Sequence, residues 1–172
     1  MIQVTVGLQL WNEIVRKNSI NMTQKNKKIL PPTYFYICVL AGIGLHFLYP
    51  VYDFLDLPYN FLGLLPMIIG FWISVKGENI FKKEGTAVKP YLNASKLITY
   101  GPYSYSRHPM YFGFILFLIG EGFVLGSVIS FVPVLVMFLI LQIKFIPMEE
   151  KSMTALFGDE YLEYKRRVRQ WI

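Results

Sequence analysis

An all-α fold that threads a membrane several times is predicted by three observations. Hydrophobic residues make up 54% of the 172-residue chain and charged ones only 16%, where a soluble domain carries about a quarter. Apolar runs long enough to cross a bilayer recur along the sequence, separated by short polar connections. The lysines and arginines fall on alternate connections only. We therefore expect a polytopic membrane protein with about four transmembrane helices and a cytoplasmic amphipathic helical C-terminal tail. Residues 1–32 read as an N-terminal cytoplasmic segment and 33–172 as the membrane domain.

The net charge of +6 does not point to nucleic acid, because the basic residues flank apolar runs and form no stripe interleaved with stacking aromatics. The single cysteine, Cys38, lies within an apolar run, which excludes a disulfide framework and a thiolate metal site. No metal is expected.

Met1–Trp11 is mildly apolar, and Arg16 and Lys17 follow it rather than precede it, the reverse of a cleavable signal. Two readings stay open: a short amphipathic helix on the membrane, or an extension upstream of a start at Met22. Pro31-Pro32 then sets a turn into the first span, 33–51. Gly42 and Gly44 within it suggest close helix packing, and His46 near its end suggests a hydrogen bond to a neighbour. Asp53 and Asp56 sit in a short loop before the second span, 59–75, in which Pro66 predicts a kink. Residues 76–100 form a polar connection that begins as a helical extension through Ile80-Phe81 and turns at Lys89-Pro90. The third span, 109–125, is interrupted by Gly120-Glu121-Gly122, and Glu121 is expected near the far interface or facing another helix. It stands roughly 18 Å along the helix from His108 at ~1.5 Å per residue. The fourth span, 128–146, completes an antiparallel hairpin. From Pro147 an amphipathic tail runs to Arg169, with Gly158 ending one helix and Asp159 capping the next.

Of the 17 basic residues, five precede the first span, six lie between Lys76 and Arg107, and six between Lys144 and Arg169. The loops 52–58 and 120–127 hold none. The positive-inside rule then places both termini in the cytoplasm. It also brings Gly101–Tyr111 and Glu149–Arg169 to one membrane face, at opposite ends of one hairpin.

Those two polar segments carry the chemistry. Gly101-Pro-Tyr-Ser-Tyr-Ser-Arg-His-Pro-Met-Tyr-Phe-Gly113 sets an arginine and a titratable ring at the mouth of an apolar helix, where polar groups are costly to keep without a use. Arg107 is suited to gripping a carboxylate, and Glu149-Glu150 to accepting from ribose hydroxyls, an ammonium or an exocyclic amine. S-adenosylmethionine carries that set of groups.

The pattern Gly101-Pro-Tyr-x-x-x-Arg107-His108-Pro109-x-Tyr111-x-Gly113, an apolar hairpin, Glu149-Glu150, then Phe157-Gly-Asp-Glu-Tyr-x-x-Tyr164-Lys-x-Arg167-Val resembles the isoprenylcysteine carboxyl methyltransferases. It is similar also to the wider set of integral-membrane phospholipid methyltransferases, although Gly101-Pro-Tyr lacks the Gly-x-Gly of the phosphatidylethanolamine enzymes. The likeness covers about residues 85–169. It implies methyl transfer from S-adenosylmethionine, with S-adenosylhomocysteine as product, to a lipophilic acceptor at the cytoplasmic membrane face. The acceptor it implies first is a prenylcysteine-like carboxylate; a phospholipid or small amine is the alternative, and a non-catalytic four-span scaffold a third reading. Carried over by position, Tyr103, Arg107, His108, Tyr111, Gly113, Glu149, Glu150, Tyr161, Tyr164 and Arg167 would line the cofactor pocket, with Arg107 and Glu150 as the catalytic pair. A compact chain of this kind suits a prokaryotic cytoplasmic membrane.

Overall fold

The structure, a computed structural model, describes residues 30–49, 54–55, 57–86 and 94–172. The segment ahead of the first span with its alternative start at Met22, the loop residues Asp53 and Asp56, and the Lys89-Pro90 turn lie outside the described residues.

Among the described residues every regular element is helical: α1 (Pro31–Leu48), a 3-10 segment (Tyr59–Gly63) leading into α2 (Leu64–Lys83), a 3-10 turn (Gly101–Ser104), and α3 (Pro109–Leu125). A third 3-10 element (Val128–Phe131), α4 (Val132–Ile140), a π-helical turn (Leu141–Phe145), α5 (Ile146–Phe157) and α6 (Asp159–Arg167) follow. Among the described residues three stretches are long and apolar enough to cross a membrane: Pro31–Leu48, Tyr59–Lys83 and Val128–Phe157. α3, expected as a span, is apolar but only 17 residues long, about 26 Å at ~1.5 Å per residue. Large apolar side chains face outward on these helices, among them Phe47 (74% exposed), Leu62 (70%) and Ile143 (73%). Such faces need lipid as their solvent. The chain is an integral membrane protein.

Prolines start most of these helices, because the first turn has no use for the missing N–H. Pro31, Pro109, Pro133 and Pro147 all occupy such positions. Pro66 does likewise: it lies in the first turn of α2, and the irregularity expected as a kink is the 3-10 segment just ahead of it. Pro147 is the exception in effect. No break separates the last span from the tail; the helix runs on from Val128 to Phe157. The π-helical turn immediately before Pro147 re-spaces the hydrogen bonds that its ring would otherwise disrupt.

α2 and α3 lie antiparallel and touch backbone to backbone. A Cβ on Gly70 would stand 2.5 Å from the Gly113 carbonyl oxygen, and one on Gly120 2.5 Å from that of Gly63. Gly42 packs on the Glu121 carboxylate, whereas Gly44 has nothing within 4 Å, so only the first fulfils the packing role expected of both. Glu121 itself is buried and faces α1, and α3 continues through it without interruption. The two far loops meet, with Phe54 N–H donating to Gly126 O (2.9 Å) and Asn60 to Val124 O (3.1 Å). Gly126 takes the left-handed conformation (φ 68°) that closes α3. The core, Cys38, Tyr111, Leu118, Met137, Leu141, Phe145 and Ile146, ties α1, α3 and the last long helix together. Gly158 ends α5 as expected and is also the residue that precedes α6; Asp159 falls one position inside the helix and makes no side-chain cap bond.

Candidate active site

The 101–108 segment is shaped by its own backbone. Gly101 has φ 65°, and Pro102 opens the 3-10 turn, whose carbonyl accepts from the N–H groups of Tyr105 (3.3 Å) and Ser106 (3.2 Å). Ser106 Oγ accepts from His108 N–H (3.2 Å) and donates to Gln170 O (3.3 Å), while Arg107 N–H donates to Arg169 O (3.0 Å). Trp171 anchors this end of the chain by donating to Gln142 (3.0 Å) on the π-helical turn and stacking on Phe138. Pro109 then starts α3, so His108 projects from the helix mouth.

Successive residues on a helix point about 100° apart, and Glu149 and Glu150 accordingly face different partners. Glu149 lines a cavity, accepts from the Tyr111 hydroxyl, and lies 3.6 Å from His108 Nδ1. Glu150 receives Arg107 Nε (3.0 Å) and Nη2 (2.6 Å) on Oε1 and Lys165 Nζ (2.5 Å) on Oε2. The Arg107 and Glu150 side chains are 9% and 11% exposed. Arg107 Nη1 also donates to the carbonyls of Val168 (2.7 Å) and Lys165 (3.2 Å), so the guanidinium fastens α6 over α5.

His108 stacks on Tyr111 with ring centroids 5.6 Å apart, and its Nε2 lies buried, 3.5 Å from Glu150 Oε1, without a hydrogen bond. Burial works against the charged ring, but the two glutamates outweigh it and hold the His108 pKa above its ordinary value. Burial also pushes the Tyr103 and Tyr161 phenols up, and Tyr164 to about 12. All three therefore remain hydroxyl donors at neutral pH. Tyr164 donates to Tyr103 O (2.7 Å), a buried bond between α6 and the 3-10 turn.

The cavity takes its polar lining from Tyr103, Arg107, His108, Tyr111 and Glu149, with Tyr161 and Tyr164 over them. Apolar residues line it as well: Pro31 and Pro32 of α1, Phe81 of α2, Leu97 and Ile98 of the connection, Phe114 of α3 and Met153 of α5. The connection is held there by Glu84, which accepts from Lys96 (2.9 Å) and Tyr100 (2.8 Å). Seven of the ten site residues expected from sequence thus line one cavity, and Glu150 sits directly behind it. Gly113 is turned to Gly70 and Ser74 in the α2–α3 contact, and Arg167 is exposed beside Glu163 (3.8 Å). Lys165 stands in the sequence pattern but was given no role there, and the apolar lining was not foreseen; a lysine among five charged neighbours gives no signal, and apolar residues in a membrane chain give less. No metal-binding cluster occurs among the described residues.

Fold and cavity define an integral membrane protein with polar and apolar side chains lining one cavity at a helix mouth. The family model described as phospholipid methyltransferase matches residues 59–160, more than half of the chain, which belongs to that family. The chain is 37% identical over 111 residues to a probable protein-S-isoprenylcysteine O-methyltransferase of Oryza sativa subsp. indica, covering 63% of this chain and 58% of the relative. It is 39% identical over 75 residues to the protein-S-isoprenylcysteine O-methyltransferase of Schizosaccharomyces pombe, covering 42% and 30%. It is 35% identical over 66 residues to methanethiol S-methyltransferase 1 of Bradyrhizobium diazoefficiens, covering 38% and 22%. The matched region spans less than two thirds of each of these relatives.

Proposed function

We propose that the protein is an S-adenosylmethionine-dependent methyltransferase that modifies a lipophilic acceptor at the cytoplasmic face of a membrane. The observation that carries this reading is a cavity lined by both polar and apolar side chains. Family membership and the named methyltransferases among its relatives support it.

The residues present fit the cofactor. Glu149 offers an acceptor for an ammonium or ribose hydroxyls, and the hydroxyls of Tyr103 and Tyr161 offer donors on the same cavity lining. When bound, S-adenosylmethionine supplies an electrophilic methyl on a sulfonium. The chain's own contribution is alignment and exclusion of water. Tyr161 and Tyr164 cover the polar lining, and Arg107 with Glu150 keeps α6 in place above it. We assign Arg107 and Glu150 to positioning, and Glu149, His108 and Tyr111 to cofactor contact.

A prenylcysteine-like carboxylate is the acceptor we favour. It is ionised at neutral pH and needs no base, and its lipid would lie along Phe81, Leu97, Ile98 and Phe114. The basic flanks support a topology with both termini and this cavity on the cytoplasmic side and α3 as a short fourth span. Purified protein with methyl-labelled S-adenosylmethionine is expected to label a farnesylated N-acetylcysteine in preference to phosphatidylethanolamine. Labelling of the phospholipid alone would move the reading to N-methylation, and labelling of neither would reject both acceptors.

A further inference from the structure

We propose that Lys165 is a positioning residue that latches α6 onto Glu150 and sets the protonation of His108, an inference that rests on the cofactor reading above. One carboxylate joins three elements here. Glu150 of α5 holds Arg107 from the mouth of α3 on one oxygen and Lys165 of α6 on the other, at 2.6 Å and 2.5 Å. The lysine side chain is 42% exposed against 11% for Glu150, so its charge reaches a desolvated partner from the solvent side. The backbone around it is secured separately. Arg107 binds the Lys165 and Val168 carbonyls, and Tyr164 binds the Tyr103 carbonyl. Loss of the ammonium therefore leaves α6 folded and attached while loosening the hold of α6, with Tyr161 and Tyr164, on the cavity.

The electrostatic consequence has a definite sign. His108 faces Glu149 at 3.6 Å and Glu150 at 3.5 Å from α5, the Tyr111 ring from α3, and Arg107 across the shared Glu150 oxygen. The Tyr103, Tyr161 and Tyr164 phenols on the same cavity are neutral. Arg107 and Lys165 set two cationic side chains against the two glutamates. Removing the lysine leaves one negative charge in excess, which favours the imidazolium and raises its pKa.

The test is Lys165→Met beside Lys165→Arg, with Arg166→Met on the exposed side of α6 as control. The protein has only two histidines, so NMR of imidazole-labelled protein, assigned with His108→Asn, follows His108 directly. We expect the His108 midpoint to rise in Lys165→Met and the affinity for S-adenosylhomocysteine to fall roughly tenfold, as for a charged hydrogen bond of modest strength. Lys165→Arg restores both, and Arg166→Met changes neither. An unmoved His108 midpoint, or unchanged affinity in Lys165→Met, overturns the proposal. Failure of the parent protein to bind S-adenosylhomocysteine would reject the cofactor reading, while the midpoint comparison still decides the role of Lys165.

Discussion

Arg107 shows how a residue visible in sequence acquires its role only from its partners. Its guanidinium spans Glu150 and two tail carbonyls in a nearly dry setting, and breaking a buried pair from one side costs about 3–5 kcal/mol. Because Lys165 stays paired with Glu150, Arg107→Ala is expected to lose less than that in denaturant titration, together with cofactor affinity, whereas Glu149→Gln loses affinity with a smaller stability change still. His108 adds a pH dependence. Its folded pKa lies above the unfolded value, so the stability it contributes is complete below the unfolded pKa and is lost as pH rises through the folded one. Thermal unfolding from pH 5 to 9 should show that decline, and His108→Asn should flatten it. The Arg-His-Pro sequence and the paired glutamates were legible because such groups are expensive at a helix mouth. Which glutamate faces the cavity was not, since that depends on helix phase after the π-helical turn.

At the scale of elements, apolar length located α1 and α2 and gave α3 its observed limits, but not the continuity from Val128 to Phe157. Pro147 reads as a break, and only a local change of helix type lets the chain pass through it. Glycine spacing was the signal left unread: Gly63, Gly70 and Gly77 recur along the α2 segment, and Gly113 and Gly120 answer two of them on α3. Close backbone contact of this kind substitutes for the hydrophobic drive that lipid removes. Gly70→Ala puts a methyl 2.5 Å from Gly113 O and is expected to cost about 1–3 kcal/mol through overpacking. Gly44→Ala, with open space around it, should be neutral or stabilising by up to about 1 kcal/mol. Equal effects of the two substitutions on the melting temperature would contradict this packing.

For the whole molecule, hairpin topology alone brought residues 101–111 and 149–169 to one face, and the contacts across Arg107, Glu150 and Tyr164 realise that proximity. What topology left open was the cavity's apolar lining. It is assembled from Pro31, Phe81 and Leu97, residues from three separate stretches with no chemical signature of their own. The molecule thus joins a polar site marked in the sequence to an apolar one created by folding. Calorimetric titration of the detergent-solubilised protein with S-adenosylhomocysteine tests that site most directly. A dissociation constant on the order of micromolar, weakened at least tenfold by Glu149→Gln in a protein that still melts cooperatively, is the expected result. Absence of binding by the folded parent protein would contradict it.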